Sequence, residues 1–360
     1  MTLLEVENLT VSFPSADGVV RAVRGVSFTL EAGQTLGIVG ESGSGKTVLT
    51  QTLLGLTPGA EITGKAIFGG TDLLQLSENQ MRQVRGSRIS VIFQDPLTSL
   101  HPLYRVGWQI AEMIRAHEKD VTKKQAAERA VELLGRVGIP NPAQRVNDYP
   151  HQFSGGMRQR AMIAMAMSLS PQMIIADEPT TALDATVQAQ ILDLLLKLQQ
   201  ESHTALLMIT HDLGVVADIA DNVMVMYAGR AAEKGPKHDI FYEPHHPYTK
   251  GLLESIPNSS AAGERLRPIP GQPPSLINLP SGCKFHPRCT YVLDRCVTEE
   301  PGLREISSDT AHLSACWLPA RAAGLGGEAE KIREETVRES RMGAAVEVAE
   351  AIAAAPEVQA

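Results

Sequence analysis

The residues best suited to chemistry in this chain form a glycine-rich octapeptide, GESGSGKT, at positions 40–47. It follows the apolar run TLGIV and fits the pattern G-x-x-x-x-G-K-[ST], in which a strand leads through a loop into a helix. Glycines permit backbone angles at which successive N–H groups converge on phosphate oxygens. Lys46 supplies a positive charge for the outer phosphates, and the Thr47 hydroxyl suits a magnesium ion. The motif therefore predicts a nucleoside triphosphate site, although a turn that binds nothing is the alternative.

A helix over Lys46–Leu54 is predicted to follow the loop and to direct its positive N-terminal end at the same anion. The predicted nucleotide-binding residues of this segment are Gly40, Glu41, Ser42, Gly43, Ser44, Gly45, Lys46, Thr47 and Val48.

A second signal is the apolar strand MIIAD with the acidic pair Asp177 and Glu178 at its end. Asp177 can reach the magnesium shell beside a phosphate loop. Glu178 can orient the water that attacks the terminal phosphate, or accept its proton. Two surface carboxylates at a strand end are the alternative, and the presence of GESGSGKT in the same chain favours catalysis.

A third signal is FSGGMRQR, in which Ser154, Gly155 and Gly156 open a predicted helix. Exposed amides and a hydroxyl at a helix start again suit an anion. One phosphate needs only one such loop, and GESGSGKT already provides it. The second anion-binding helix start therefore has no role at the same site in a single chain.

The elements that must position these residues alternate between strands and helices. The first 39 residues read as β segments, the stretch from about residue 95 to 170 carries helical periodicity, and a helix separates the strands MIIADE and ALLMITH. A strand, helix and strand in that order assemble as a right-handed crossover onto a parallel sheet. The segment RISVIFQ is predicted to be a buried strand that ends at Gln94, and NVMVMYAGRAAEKG a β-hairpin.

Composition restricts the class of protein. The chain has 360 residues and a net charge of −8, which disfavours a general nucleic-acid or anionic-membrane binder. Neither a signal peptide nor a transmembrane helix is evident, so we expect a cytoplasmic protein that reaches a membrane only through partners.

The joint motif set resembles the nucleotide-binding subunit of ATP-binding-cassette (ABC) transporters, from Leu3 to about Gly235. The sequences FSGGMRQR, QDPLTSLHP and HHPYT and the cysteine-bearing segment resemble a narrower group, the ATPase subunits of dipeptide and oligopeptide importers. The resemblance implies an α/β P-loop ABC ATPase core with an N-terminal antiparallel β subdomain, an inserted helical subdomain and a small C-terminal cysteine-containing domain. The expected bounds are 1–240 for the cassette, 241–320 for the C-terminal extension and 321–360 for a flexible Ala/Glu-rich tail.

The resemblance also implies roles for further residues. Two subunits would sandwich two ATPs head to tail, so that Ser154, Gly155 and Gly156 contact the γ-phosphate held by the partner's loop. His211 would hold that phosphate and the attacking water, although a strand-end histidine without such a role is the alternative. Phe13 would stack on adenine or be a core residue that alternates with Val11. Gln94 would join the magnesium site and sense the phosphate, and Asp184 would lie across the dimer seam.

Four cysteines, Cys283, Cys289, Cys296 and Cys316, cluster after a long cysteine-free stretch. Disulfides are disfavoured in the cytosol, and the C-x-x-C pairs of zinc ribbons are absent. Four thiolates can hold an iron–sulfur cluster. The resemblance supports a [4Fe-4S] extension of the kind found in some peptide-importer ATPases, with zinc or four unligated thiols as alternatives.

The resemblance thus predicts a magnesium-dependent ATPase that energises peptide import from the cytoplasmic face of the cell membrane as a peripheral subunit. Its implied partners are a second ABC ATPase subunit, expected to be a paralogue, two membrane permease subunits and, indirectly, an extracytoplasmic peptide-binding protein; no nucleic acid is expected. Import of nickel or another small solute is an alternative. A soluble ABC ATPase of DNA repair or translation fits less well, because the coiled coil and tandem cassette of those proteins are missing.

Overall fold

The computed structural model describes residues 2–95, 99–181, 183–255, 268–306 and 311–319. Contacts divide the chain into two compact units. The first contains the residues up to Val39 together with Gly45–Asn222, and the second contains Gly40–Ser44 together with the residues from Val223 onward. The predicted tail, 321–360, lies outside the described residues, and the predicted domain bounds at residues 240 and 320 stay predictions.

Strands are numbered along the chain as follows: β1 Thr2–Ser15, β2 Gly18–Glu31, β3 Thr35–Val39, β4 Glu61–Phe68, β5 Thr71–Asp72, β6 Ile89–Ile92, β7 Met173–Asp177, β8 Ala205–Thr210, β9 Asn222–Tyr227, β10 Arg230–Pro236, β11 Arg304–Glu305 and β12 Leu313–Ser314. The helices are α1 Lys46–Leu53, α2 Glu78–Val84, α3 Val106–His117, α4 Lys123–Arg136, α5 Pro142–Arg145, α6 Gly155–Met167, α7 Ala185–Ser202, α8 Leu213–Ile219, α9 Lys237–Tyr242, α10 Pro247–Glu254 and α11 Asp294–Thr298.

Two sheets form in the first unit. One is antiparallel, in the order β2-β1-β4-β5, and contains the predicted N-terminal β subdomain. The other places β3, β8, β7 and β6 side by side and parallel. Every residue of β3, β7 and β8 is buried, which explains their near-continuous apolar sequences.

The predicted strand RISVIFQ ends earlier than expected, at Ile92 rather than Gln94. The parallel register with β7 stops at the pair Ile92 and Ala176, because the next β7 residue, Asp177, pairs only with β8. Phe93 and Gln94 are exposed, so the prediction of a strand to Gln94 was wrong by two residues.

The helical segment of the first unit follows from periodicity and capping. Helix α4 begins at a capping box in which Thr122 and Gln125 satisfy each other's backbone N–H groups. Its buried face, which includes Ala126, Ala130 and Leu134, joins one apolar core with Ile110 and Ile114 of α3. The amphipathic pattern therefore gives the predicted helical layer.

In the second unit, β9, β10, β12 and β11 follow one another in a sheet, and β9 and β10 form the predicted hairpin. Short helices and loops make up the rest of the described part, and all four cysteines lie here. None of the helices in the described ranges of the chain is both long and apolar enough to cross a membrane.

Candidate active site

The acidic pair lies where the buried strands of the parallel sheet end. Strand β7 ends at Asp177 and is followed by Glu178, while the neighbouring strand β8 ends at Thr210 and is followed by His211. Because parallel strands end at the same sheet edge, the two segments emerge side by side. The fold thus brings together residues that the sequence separates by about thirty positions.

Glu178 has an unusual backbone conformation. Its φ is 47°, in the left-handed region that non-glycine residues rarely adopt, and its N–H donates to the Ile209 carbonyl at 2.8 Å. Such backbone strain costs about 1–3 kcal/mol and concentrates at functional sites. This conformation ends the extended backbone of β7 at the residue that follows Asp177.

Three side chains hold the Glu178 carboxylate. Gln94 Nε2 and Thr181 Oγ1 each donate to Oε2 at 2.9 Å, and His211 Nδ1 lies 3.1 Å from Oε1. Glu178 is only 18% exposed, whereas the His211 side chain is 62% exposed. Gln94, Glu178 and His211, all predicted from the sequence, therefore form one cluster open to solvent on the histidine side.

Sequence reasoning missed Thr181. Its hydroxyl orients the carboxylate of Glu178 from three residues further along the chain, in the sequence DEPTTALD. A hydroxyl at that spacing in the tight turn after a strand is the signal that could have identified it.

Asp177 lies beside the start of α1. Thr47 Oγ1 is 3.4 Å from Asp177 Oδ1, and the preceding residue, Lys46, is almost fully buried. Burial raises the pKa of Asp177; the neighbouring Glu178 charge adds to the rise, while Thr47 and Lys46 oppose it. A buried carboxylate next to a hydroxyl suits a hard divalent cation, so these residues fit the predicted magnesium site.

The phosphate loop has the backbone that its glycines imply. Gly40 has φ 152° and Gly43 φ 78°. A Cβ at Gly40 would overlap the Met226 carbonyl oxygen and lie 2.9 Å from Ser44 Oγ. Gly45, with φ 100°, precedes α1, so the positive end of that helix begins at Lys46 as predicted.

The remaining predicted residues have local roles of their own. Ser154 caps α6 by accepting a hydrogen bond from the Met157 N–H at 3.3 Å, and Asp184 caps α7 by accepting one from the Val187 N–H at 3.0 Å. Phe13 is half-buried opposite Val20, whereas Val11 is fully buried. Contacts of Phe13, Ser154 and Asp184 with a nucleotide or partner subunit stay predictions.

The four cysteines lie in the second unit, where Cys296 and Cys316 are buried and Cys283 and Cys289 are partly buried. Burial is the main cause that raises the pKa of each thiol, to about 12 for Cys289, and charge on other sulfurs adds to the rise for Cys283, Cys289 and Cys316. The Tyr291 N–H donates to Cys289 Sγ at 3.4 Å. In the ranges that the structure describes, no three His, Cys, Asp or Glu side chains are grouped closely enough to hold a metal ion.

Comparisons with known proteins agree with this architecture. Residues 23–181 match the family model described as ABC transporter, and residues 232–296 match the model described as oligopeptide/dipeptide transporter, C-terminal region. The chain is 51% identical to the dipeptide transport ATP-binding protein DppD of Bacillus subtilis, over 91% of this chain and 99% of that one. It is 52% identical to the oligopeptide transport ATP-binding protein OppD of the same organism, over 88% of each chain.

Solved structures with the same fold include two ABC cassettes. The dimeric bacterial ABC transporter cassette MJ0796 aligns with a TM-score of 0.59 and 25% identity, over 65% of this chain and 98% of the other. Cassette cbiO1 of Clostridium perfringens, part of the complex cbiONQ, aligns with a TM-score of 0.58 and 28% identity, over 67% and 90% of the two chains.

Proposed function

Because the chain belongs to the ABC transporter family and carries the C-terminal region of oligopeptide and dipeptide transporters, we propose that it hydrolyses ATP to energise peptide import. The observation that carries the proposal is the constellation at the sheet edge: the Glu178 carboxylate held by Gln94, Thr181 and His211, beside Asp177 and Thr47. The DppD and OppD relatives support a peptide cargo by their names.

In the proposed reaction, Glu178 orients a water for in-line attack on the γ-phosphate and accepts its proton. His211, exposed beside the carboxylate, donates to the phosphate or positions the same water. Lys46 and the N–H groups of the phosphate loop stabilise the negative charge on the transferred phosphoryl group. Thr47 and Asp177 would hold magnesium, with Gln94 beside them; the ion would neutralise phosphate charge when bound.

A second subunit completes each site. Ser154, Gly155 and Gly156 would offer the N-terminal end of α6 to the nucleotide of the partner. Asp184 would lie across the dimer seam, and Phe13 would stack on the adenine. The dimeric state of the MJ0796 cassette supports such an assembly. The partner would be a paralogue, and both ATPase subunits would lie at the cytoplasmic face of the membrane. ATP-driven closure of the dimer would switch two permease subunits between inward-open and outward-open states. A peptide-binding protein outside the membrane would deliver the peptide to the permeases.

Transport in vesicles tests this function. The four-subunit complex, co-expressed with the neighbouring permease and ATPase genes, should accumulate a labelled dipeptide or oligopeptide when Mg·ATP is supplied, and a Glu178→Gln complex should not. Uptake of nickel but not of peptide would show that the cargo is nickel and would contradict the proposed peptide cargo. Co-purification with ribosomes or DNA rather than permeases would contradict the transport role.

The cysteine group is the proposed site of a [4Fe-4S] cluster. Four cysteines in the segment that matches the oligopeptide/dipeptide transporter C-terminal region or lies just beyond it support the proposal, because each thiolate of such a cluster ligates a separate iron. A single zinc ion needs four sulfurs about 2.3 Å from one centre. Within the described residues no His, Cys, Asp or Glu group is compact enough to hold a metal ion, so the side-chain geometry favours neither zinc nor a cluster.

Purification without oxygen tests the cluster. The protein should be brown and contain iron and acid-labile sulfide in equal amounts, and Cys289→Ser should lose both. A colourless preparation without iron or sulfide would contradict the cluster and leave the ATPase role untouched.

A further inference from the structure

The second residue of the phosphate loop, Glu41, is held by an ion pair from the cysteine-bearing segment. The guanidinium group of Arg288 donates to both carboxylate oxygens of Glu41, through Nη1 at 2.6 Å and Nη2 at 2.8 Å. The Arg288 side chain is 5% exposed and that of Glu41 is 25% exposed. A two-point contact between a planar guanidinium and a carboxylate fixes direction as well as distance.

Arg288 is itself held in place before it reaches Glu41. Its Nε donates to the Pro270 carbonyl at 2.8 Å, and Nη1 also donates to the Tyr227 hydroxyl at 3.3 Å. The rings of Tyr227 and Phe285 lie 5.8 and 5.9 Å from the guanidinium carbon. All three guanidinium nitrogens thus donate hydrogen bonds. These bonds fix the orientation in which the two terminal nitrogens face Glu41.

The backbone of the loop is held by the same unit. The Glu41 N–H donates to the hydroxyl of the fully buried Tyr248 at 2.8 Å, and the Gly229 N–H donates to the Ser44 carbonyl at 3.0 Å. Tyr248 belongs to the sequence HHPYT, to which the ATPase chemistry gives no role. Residues that follow Val223 therefore bind the segment Gly40–Ser44 at Glu41, through its backbone and its side chain, and at Ser44, through its backbone.

Arg288 is also adjacent in sequence to one of the four cysteines, Cys289. It closes the short turn His286–Arg288, in which the His286 N–H donates to the Cys283 carbonyl at 3.0 Å and the Arg288 N–H to the Phe285 carbonyl at 2.9 Å. Cys289 follows directly, and the Cys283 N–H donates to the Cys296 carbonyl at 2.8 Å. A rearrangement of the sulfurs must therefore move the backbone that carries Arg288.

We propose that Arg288 is a positioning residue of the phosphate loop, through which the cysteine-bearing segment Cys283–Cys316 sets the affinity for nucleotide. If the segment loosens, the Glu41 carboxylate loses its two-point contact with the buried guanidinium, and its negative charge is less well compensated in a loop that must bind phosphates. Coupling between two sites is reciprocal, so bound nucleotide must in turn stabilise the segment. The inference rests on the proposed ATP-binding role and deepens it.

Nucleotide affinity gives the first test. Arg288→Met should weaken ADP binding, measured by calorimetry, about tenfold or more, the loss typical of a charge-assisted hydrogen bond. The double variant Glu41→Gln/Arg288→Met should recover part of that loss, because it also removes the negative charge that Arg288 neutralises. Lys284→Met is the matched control: Lys284 follows Cys283, makes an ion pair with Glu300 at 3.6 Å and donates to the Pro280 and Gly282 carbonyls, so its hydrogen bonds and ion pair among the described residues are made within its own segment.

The reciprocal measurement needs no variant and separates coupling from a folding role. ADP at saturation should slow the reaction of Cys283 and Cys289 with iodoacetamide in the unaltered full chain, or slow iron loss to a chelator if the protein is purified with a cluster. In Glu41→Gln, saturating ADP should no longer have this effect.

The possible results are distinct. ADP affinity equal to that of the unaltered chain in Arg288→Met, or ADP binding without any effect on the cysteines, overturns this proposal alone. Equal losses of affinity in Lys284→Met and Arg288→Met would also overturn it, because they would indicate a general folding role. If the unaltered chain binds no ADP, the ATP-binding role itself fails and this proposal falls with it.

Discussion

Glu41 and Glu178 show two ways of holding a carboxylate at a nucleotide-binding motif. Glu178, in the first unit, accepts hydrogen bonds from an uncharged amide and an uncharged hydroxyl and lies beside the largely exposed His211. Glu41, in the second unit, accepts both hydrogen bonds from one buried guanidinium. Uncharged or exposed donors exchange for water or substrate at low cost, whereas separation of a buried ion pair leaves a desolvated charge. Glu178 is therefore suited to change partners during turnover, and Glu41 to keep one.

The largest effect is expected at the exchangeable carboxylate. Glu178→Gln should lower the rate of ATP hydrolysis about 10²–10⁴-fold, since a positioned general base contributes that factor, while ATP binding is retained. The variant should accumulate closed dimers with ATP, which gel filtration would detect. Glu201→Gln, which changes an exposed ion-pairing carboxylate on α7, is the control. Normal turnover in Glu178→Gln would remove the distinction between the two glutamates.

The next effect concerns the backbone of the loop that contains Glu41. Gly40→Ala should abolish measurable nucleotide binding, because the added Cβ overlaps the Met226 carbonyl as well as straining the backbone. Gly43→Ala meets no atom within 4 Å, so it should cost only the left-handed strain of about 1–2 kcal/mol, or roughly tenfold in affinity. Titration with a fluorescent ADP compares the two. Equal affinities would mean that the second unit does not restrain the loop.

A smaller effect is expected at the donor that the sequence did not reveal. Thr181→Val removes one of the groups that orient Glu178, and a lost hydrogen bond of about 1 kcal/mol predicts a roughly fivefold lower kcat at saturating ATP. Thr181→Ser keeps the hydroxyl and should restore most of the rate. Equal rates in the valine and serine variants would show that Glu178 is positioned by its backbone alone.

The smallest effect concerns stability and pH. Burial raises the pKa of Asp177 in the folded protein above its value in the unfolded chain. The folded state therefore loses stability as the pH rises through the pKa of the unfolded chain, and the loss is complete above the pKa of the folded protein. Asp177→Asn should therefore raise the melting temperature at neutral pH when nucleotide and magnesium are absent. The difference should vanish in acid, where both states carry the proton. A lower melting temperature for the variant at neutral pH would contradict this account.

Much of the first unit could be predicted because its signals are local. Strand β7 is a continuous apolar run that ends in two acids, α4 begins with a capping pair, and α1 follows a glycine loop. The strand expected to end at Gln94 stopped at Ile92, since the point where a parallel register ends depends on the neighbouring strand. Thr181 was missed for a similar reason: a threonine in a turn reveals its acceptor only after the turn is folded.

The sequence by itself determined the family, the phosphate loop and the acidic strand end, because each is a short contiguous pattern whose chemistry depends on residue type and spacing. Only the tertiary structure decided that Glu41 is bound by Arg288, 247 positions away, and that the Tyr248 hydroxyl accepts the Glu41 N–H. The physical reason is that an ion pair between distant residues leaves no periodicity or spacing in the chain. It exists only once folding has brought the buried Arg288 guanidinium against the partly buried Glu41 carboxylate.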